Sequence, residues 1–396
     1  MTTEASAPTL ADTPTAAWGA VLSMALCVAL LIASEFLPVS LLTPMAAGLH
    51  ATEGQTGQAI SISGLFAVVA SLLVTTVAGR LNRKTVLVAM TALMLASLVL
   101  VAAASNFTIL MVGRALLGVC VGGFWALATA VIMRLVPSEA MPRALAVLYG
   151  GQAIAAAFAA PVGSYLGGMF GWREVFWGLT PLVAVNLVWH LTALPSLPAR
   201  DRQDFGAMLA LLRRPYFLRG LTASMLSWGS AFTMFTYLRP FLERVTGADV
   251  GLLSLLLLAL GTAGFIGTWA AGRFIGPEIA PLLKAPALVM GGATLGLLLF
   301  GRAWLAVGVL LAVWGAMNTG MSVIWMTWMS RNADDAPEAA GSLMVAAIQT
   351  SILLGAVIGG WLLDGLSIQA TFAGSIILAL AALALIGDGR RLLKPQ

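Results

Sequence analysis

Residues 18–45 read WGAVLSMALCVALLIASEFLPVSLLTPM, an apolar run with a single charged residue, Glu35. About 20 apolar residues in an α-helix are enough to cross the hydrocarbon core of a bilayer. A cleaved secretory signal has a shorter apolar region that follows basic residues. Residues 1–17 contain Glu4 and Asp12 but neither Lys nor Arg. The run is therefore predicted to be a transmembrane helix that is retained in the protein.

Similar apolar runs recur along the whole chain. Counting those of about 20 residues predicts twelve transmembrane spans, near residues 18–44, 56–79, 85–105, 107–134, 143–169, 175–195, 216–238, 249–272, 282–301, 303–330, 338–363 and 367–387. Of the 396 residues 60% are apolar and only 9% are charged, whereas a soluble domain has about a quarter charged residues. The sequence predicts an all-α integral membrane protein whose main solvent is lipid.

A polar segment divides the spans into two sets of six. The predicted organisation is a cytoplasmic N-terminal tail (1–17), a first half (18–195), a cytoplasmic linker (196–215), a second half (216–387) and a cytoplasmic tail (388–396). With both termini inside, sixteen Lys and Arg residues fall on the cytoplasmic side and four (Arg173, Arg239, Arg244 and Arg302) on the other. This bias is typical of cytoplasmic loops. We expect a multi-pass protein of the bacterial inner membrane.

The two halves carry matching short sequences. Residues 78–81 (AGRL) match 271–274 (AGRF), and 163–166 (GSYL) match 359–362 (GGWL), at nearly the same offset. The alternative is that both matches of Gly-rich strings arose by chance, but their nearly common offset argues against this. Repeated halves are typical of transporters that alternate around a site near the bilayer midplane.

Two ionisable residues lie deep in the first-half spans, Glu35 in span 1 and Arg114 in span 4. A charge near the bilayer centre costs at least about 2.5–3.5 kcal/mol and usually has a partner or a function. At 1.5 Å per residue both lie roughly 10–12 Å below the outer surface. A changing distance between them would let Glu35 bind and release a proton. The alternative is a fixed ion pair that never titrates.

Other polar and aromatic residues within the spans are candidates for lining a substrate cavity. They are Phe36, Ser61, Trp125, Gln152, Asn318, Trp325 and Gln349. For Trp325 the alternative is an interfacial anchor. Aromatic faces together with amides would suit an aromatic polar solute such as a nucleobase. Small-residue seams around Gly163 and Gly167 allow close helix packing, and they are either simple packing or places where the halves slide.

Several other site types lack support in the sequence. Cys27 and Cys120 lie in apolar stretches as buried fillers, and His50 and His190 are isolated, so no metal site is expected. Residues 79–85 (GRLNRKT) lack the second glycine of a phosphate-binding loop. The basic residues are dispersed over short loops, which argues against nucleic-acid binding. No cofactor is expected beyond the proton as coupling ion, and no enzyme activity.

Several segments resemble the major facilitator superfamily, specifically its proton-coupled efflux transporters. Residues 79–84 resemble the loop motif between spans 2 and 3, residues 110–118 around Arg114 the span-4 motif, and residues 151–168 with Pro161 the antiporter motif of span 5. More narrowly, residues 35–45, 122–126, 134–137, 160–164 and 340–360 resemble purine ribonucleoside efflux pumps.

The resemblance implies the twelve-helix major facilitator fold and proton-driven export of purine ribonucleosides such as inosine and guanosine, with related purine analogues. It implies Glu35 as proton carrier with Arg114 as its partner, and Gly79, Asn82, Arg83, Lys84, Pro161, Gly163 and Gly167 as conformational motifs. Asn82 and Ala160 depart from the motifs, which usually have aspartate and glycine there. Efflux of sugars or drugs, or uncoupled facilitation, are the alternatives. We expect a monomer that binds a small-molecule substrate.

Overall fold

The computed structural model describes residues 17–77, 80–198, 205–276 and 278–395. Within these ranges the regular structure is helical, with no β-strand. The helices of the first half are α1 (Trp18–Ser40), α2 (Leu42–Gly48), α3 (Glu53–Val77), α4 (Arg83–Ala102), α5 (Phe107–Leu135), α6 (Met141–Phe170) and α7 (Trp172–Ala193). Those that follow are α8 (Phe205–Leu212), α9 (Pro215–Phe235), α10 (Leu238–Phe241), α11 (Val250–Phe274), α12 (Ala285–Phe300), α13 (Trp304–Asn332), α14 (Pro337–Gly365) and α15 (Ile368–Ile386).

Twelve of these helices are long and correspond one to one with the predicted spans. Eleven of the described helices are long and apolar enough to cross a membrane by composition alone. The twelfth, α9, is less apolar because Ser224, Ser227, Ser230 and Thr233 lie within it, and all four are buried inside the protein. The prediction of an all-α membrane protein with twelve transmembrane helices is confirmed.

Three local features differ from the predicted spans. The first span is broken at Leu41 into α1 and α2, where Pro38 and Pro44 each remove a backbone N–H from the helix. The seventh is similarly followed by the short α10 rather than continuing to residue 238. The segment predicted as a linker contains α8, whose apolar residues Met208 and Leu211 are buried against the second half.

Glycines bring equivalent helix pairs of the two halves into close contact. In the first half, a Cβ added to Gly118 or Gly122 of α5 would overlap backbone oxygen atoms of α3. In the second half, one added to Gly267 of α11 or Gly315 of α13 would overlap the backbone of the facing helix. Because α3 and α5 are spans 2 and 4 and α11 and α13 are spans 8 and 10, the same packing device occurs twice.

The small-residue seams of α6 and α14 also correspond. Gly163 and Gly167 of α6 face Leu37 and Leu41 at the end of α1, within the first half. The adjacent Gly168 instead faces Val250 of α11, in the second half. These seams therefore combine packing within one half with contact between halves.

In α14, Gly355 and Gly359 likewise approach α9 within the second half, and Gly360 approaches Gly54 and Gln58 of α3 across the interface. Each half thus uses its fifth span to hold its own first span and to meet the other half.

Polar contacts join the halves at the end of the bundle opposite the chain termini. Asp364, at the end of α14, accepts hydrogen bonds from the Thr52 hydroxyl (2.5 Å) and the Gly54 N–H (3.1 Å). Arg244 forms an ion pair with Glu53 (2.6 Å). The Thr43 hydroxyl donates to Glu243 (2.6 Å). We call these seven residues the inter-half seal.

At the other end, two ion pairs hold segments to the loop between α13 and α14. Arg214, just before α9, binds Asp335 through both terminal guanidinium nitrogens (2.9 and 2.5 Å), and Lys394 of the chain tail binds Asp334 (2.8 Å). The Arg214 hydrogen bonds lower the pKa of Asp335 to about 2. A carboxyl with a depressed pKa stabilises the fold above its ordinary pKa near 4 and loses this contribution as the pH falls toward 2. The pair is therefore intact at neutral pH.

The glycine packing makes a direct prediction for stability. Gly122→Ala places a Cβ against the Ala67 carbonyl oxygen of α3 and is expected to destabilise the protein by about 1–3 kcal/mol, because overpacked contacts force helices apart. The matched control is Gly292→Ala in α12, where a Cβ meets nothing within 4 Å. Thermal unfolding in detergent, followed by tryptophan fluorescence, would measure both. Equal midpoints for the two variants would contradict the packing account.

Candidate functional site

Glu35 lies on α1 where that helix faces the second half. Its side chain is buried, with 6% of the residue exposed. Pro38 follows three residues later in the same helix. Because proline has no N–H, it cannot bond the carbonyl four residues earlier, which is that of Ser34. The helix around Glu35 therefore carries a backbone oxygen that needs a donor from elsewhere.

Arg114 of α5 supplies that donor. Its Nη1 donates to the Ser34 carbonyl (2.7 Å), its Nη2 to the Glu35 carbonyl (3.2 Å) and its Nε to the Ala59 carbonyl of α3 (2.9 Å). Only 1% of Arg114 is exposed. Buried charges persist when they are well hydrogen-bonded. The arginine thus ties α1, α3 and α5 together through backbone oxygens.

The Glu35 carboxylate itself is not ion-paired with Arg114. Among the described residues, the four ion pairs within 4 Å leave Glu35 out. The sequence predicted that the two residues lie at the same depth. In the structure they are in contact, but Arg114 bonds the backbone carbonyl of Glu35 and not its carboxylate. The positive charge lies beside the carboxyl group without neutralising it by direct contact.

Gln349 of α14 faces Glu35 from the second half. Its side chain lies close enough to the Glu35 carboxylate to interact with it, but no contact of its buried Nε2 has the distance and angle of a formed hydrogen bond. Helices α3 and α14 are in close contact beside Gln349. The Ser61 hydroxyl of α3 donates to the Leu353 carbonyl of α14 (3.3 Å). Gly64 leaves room for the backbone at Gln349. A carboxylate and an unsatisfied amide thus meet across the interface.

An aromatic cluster across the interface includes Phe36, the residue that follows Glu35. Phe36 of α1 stacks on Phe232 of α9 (ring centroids 6.2 Å) and meets Phe235 edge-on (6.0 Å). Phe235 stacks in turn on Trp314 of α13 (5.6 Å), and Phe232 on Trp228 (6.2 Å). Phe36 and Phe235 are only half-buried. We call these five residues the interface aromatic cluster.

Sequence reasoning missed most of this cluster. Phe36 was among the predicted cavity residues, but Phe232, Phe235 and Trp314 were not. A usable signal exists within α9, because Trp228, Phe232 and Phe235 recur at spacings of four and three and so share one helix face. Nothing in the sequence indicates that this face meets α1.

The remaining predicted cavity residues lie in α5, α6 and α13. Trp125 of α5 is half-buried and stacks on the exposed Tyr149 (5.9 Å). Trp325 is packed edge-on against Trp328 in the core of the second half. Gln152 is half-buried in α6, and Asn318 of α13 has a buried Oδ1 without a partner. Among the described residues, no ring–ring contact joins Trp125 or Trp325 to the interface aromatic cluster.

The loop motif is tied to the first half. Gly79 lies outside the described residues. Asn82 caps α4 by accepting from the Lys84 N–H (3.0 Å), and its amide donates to the Ser196 hydroxyl (2.6 Å). The buried Arg83 donates its backbone N–H to the Leu197 carbonyl (2.8 Å). In α6, Pro161 is buried beside the Gly163–Gly167 seam.

Cys27, predicted as a buried filler, and His190 both contact the same threonine. Thr91 of α4 lies 2.9 Å from Nδ1 of His190 in α7 and 3.7 Å from the sulfur of Cys27 in α1. Asn186 and His190 also have buried side-chain atoms without partners. These contacts arise because α1, α4 and α7 pack side by side. Among the described residues no group of three His, Cys, Asp or Glu residues could hold a metal.

The comparisons with known proteins agree with this geometry. The profile of the Major Facilitator Superfamily matches residues 24–347. The transcription regulatory protein OpdE of Pseudomonas aeruginosa is 46% identical over 369 residues, covering 92% of both chains. The purine ribonucleoside efflux pump NepI of Salmonella typhimurium is 38% identical over 366 residues, covering 92% of both.

Solved structures share the fold at low sequence identity. The D-xylose–proton symporter has a TM-score of 0.77 at 14% identity and covers 96% of this chain and 100% of its own. A bacterial homologue of the human lysosomal transporter Spinster, in an inward-facing and occupied conformation, has a TM-score of 0.72 at 14% identity, covering 92% and 95%. Twelve helices in two similar halves, with a buried carboxylate where the halves meet, agree with the profile match: this chain belongs to the major facilitator superfamily.

Proposed function

We propose that this protein is a secondary active transporter that exports purine ribonucleosides, such as inosine, guanosine and related purine analogues, by proton antiport. The observation that carries the proposal is the Glu35 carboxyl group, buried where the two halves meet, next to an unsatisfied amide and an aromatic cluster. The proposal includes a monomer in the bacterial inner membrane with both termini in the cytoplasm and no bound cofactor.

The proton role rests on how Arg114 is held. Because its guanidinium bonds three backbone carbonyls, it stays in place whether or not Glu35 is ionised. The carboxyl group can therefore exchange a proton without breaking the contacts that join α1, α3 and α5. A proton moving down a potential of 100 mV releases about 2.3 kcal/mol, which can drive a solute to more than tenfold accumulation.

The substrate class rests on the interface aromatic cluster and Gln349. Aromatic side chains stack on nucleobases, and each such contact contributes about 1–3 kcal/mol. The unpartnered Gln349 Nε2 would donate to an acceptor on a purine ring. The NepI relatives are named as purine ribonucleoside efflux pumps, which supports this cargo over sugars. Drugs or sugars, or facilitation without a proton, remain the alternatives.

The inter-half seal supports alternating access. It lies at the end of the bundle opposite the termini, and the positive-inside bias assigns that end to the outer side. In this proposal the described conformation is closed toward the periplasm. Export then requires the Asp364, Glu53 and Glu243 contacts to break, each of which is a polar contact at an exposed or half-buried site.

A second candidate function comes from the name of OpdE, a transcription regulatory protein. A transporter that lowers the internal concentration of an inducer changes transcription indirectly. The described residues form a membrane bundle, with helices packed on one another and no separate domain. Transport is the activity that the site at Glu35 favours, and an effect on transcription would follow from it.

The first test compares export by the wild type and Glu35→Gln. Cells preloaded with radiolabelled inosine should export it through the wild type, and export should stop with a protonophore. The inosine export rate of Glu35→Gln should be at least tenfold lower, because the amide cannot carry a proton. The matched control is Glu174→Gln, an exposed carboxylate at the start of α7, which should export normally.

Membrane abundance of each variant is measured in parallel by immunoblotting. Normal export by Glu35→Gln would refute the proton role and leave an uncoupled facilitator. Absence of inosine export from the wild type would refute the substrate, and the same assay would then be run with sugars and drugs.

A second test addresses the aromatic cluster. Phe235→Leu keeps apolar volume but removes the ring that stacks on Trp314 and meets Phe36. We expect the inosine concentration for half-maximal export to rise at least about fivefold, consistent with the loss of one base–aromatic contact. Phe300→Leu, a 58% exposed ring on α12, is the control. An unchanged half-maximal concentration in Phe235→Leu would exclude the cluster as the nucleobase site.

A further inference from the structure

A basic cavity lies at the end of the bundle that carries the termini. It has a volume of about 740 Å³ and is bordered by the start of α9 and by the C-terminal tail. Its cationic lining residues are Arg219, Arg390, Arg391 and Lys394, and no carboxylate is part of the lining. All four side chains are exposed.

Among the residues that the structure describes, three of these cations have no anionic partner within 4 Å. Lys394 is paired with Asp334 (2.8 Å), whereas Arg219, Arg390 and Arg391 are absent from the ion pairs of the described chain. Asp388 bonds only the backbone N–H of Arg390 (3.1 Å). The described lining of the cavity therefore carries three cations without a paired carboxylate, and their combined positive potential favours the binding of an anion.

The cavity is built by folded structure. Gly387 and Gly389 have positive φ (56° and 79°), which lets the chain turn back after α15. The Trp328 indole then donates to the Leu392 carbonyl (2.8 Å), and the Lys394 N–H donates to the Asn332 side chain (2.6 Å). These bonds fix the tail against α13, so the arginines are held beside α9.

Exposed apolar residues lie on α9 and α15, the two helices that pack together and lead to the cavity. Leu218, next to Arg219, is 46% exposed. On α15, Ile377 and Leu380 are 65% and 58% exposed and lie six to nine residues before the helix end at Ile386, roughly 9–14 Å deeper at 1.5 Å per residue. Acyl chains would cover these residues while a headgroup phosphate reaches the cavity.

We propose that this basic cavity binds the headgroup of an anionic phospholipid, with Arg219, Arg390 and Arg391 as its phosphate ligands. Guanidinium groups bind phosphate oxygens through paired hydrogen bonds. Basic pockets at the cytoplasmic ends of transmembrane helices are suited to anionic headgroups. The exposed apolar residues on α9 and α15 favour a lipid over free phosphate, because only a lipid has acyl chains that can cover them.

The test is native mass spectrometry of the full-length protein in detergent. It is titrated with dioleoyl phosphatidylglycerol, with the zwitterionic phosphatidylcholine of the same chains, and separately with inorganic phosphate. We expect specific binding of phosphatidylglycerol only. Each of Arg219→Gln, Arg390→Gln and Arg391→Gln should weaken it roughly fivefold, the factor for one basic residue at a membrane surface.

The matched control is Arg213→Gln, an exposed arginine at the same end that does not line the cavity, and it should bind as the wild type does. Thermal unfolding checks that every variant is folded. Equal binding of both lipids, unchanged binding by all three variants, or an equal loss in Arg213→Gln would overturn the proposal. Binding of inorganic phosphate as tightly as the lipid would replace the lipid with a soluble anion.

Discussion

A buried guanidinium needs a hydrogen-bond acceptor for its donors, and in this protein the acceptors are backbone carbonyls. Pro38 leaves the Ser34 carbonyl without its helical donor, and Arg114 fills that position while also bonding the carbonyls of Glu35 and Ala59. Three first-half helices are joined by this one side chain. The arrangement leaves the Glu35 carboxyl group free to face the second half, where Gln349 and the interface aromatic cluster lie. The proposed coupling of proton and substrate depends on that freedom.

The two halves pack their helices in the same way around Glu35 and Arg114. Glycines let α3 approach α5 and let α11 approach α13, and the small residues of α6 and α14 hold the first helix of each half while touching the other half. The inter-half seal adds polar contacts at one end. Such contacts at partly exposed positions are individually weak, so they can break and re-form. Rigid halves joined by a weak seal are the mechanical requirement for alternating access.

Much of the fold could be predicted because a helix that crosses a bilayer needs about 20 mostly apolar residues. The twelve long helices begin and end within a few residues of the apolar runs. Local chemistry was harder to place. The helix α8 was not predicted because its eight residues follow a polar segment, and the break at Leu41 depends on tertiary contacts as well as on Pro38 and Pro44.

The site was predictable in part. Their depth in the bilayer alone predicted that Glu35 and Arg114 lie close together, because an ionisable residue within a span usually has a partner or a function. Their actual contact through the backbone of α1 could not be deduced, because it depends on side-chain direction. The same limit applies to Phe232 and Phe235, which are ordinary apolar residues in sequence, and to the contact of Cys27 and His190 with Thr91. Contacts between distant helices leave no periodic pattern in the chain.

The central claim is that substrate and proton compete through Glu35, and proton release on substrate binding tests it most directly. Inosine is added to the purified protein in weakly buffered detergent at several pH values, and the pH change is recorded with binding measured in parallel. The account predicts release of up to about one proton per nucleoside bound by the wild type and none by Glu35→Gln. Binding of inosine without proton release by the wild type, or equal release by Glu35→Gln, would contradict it.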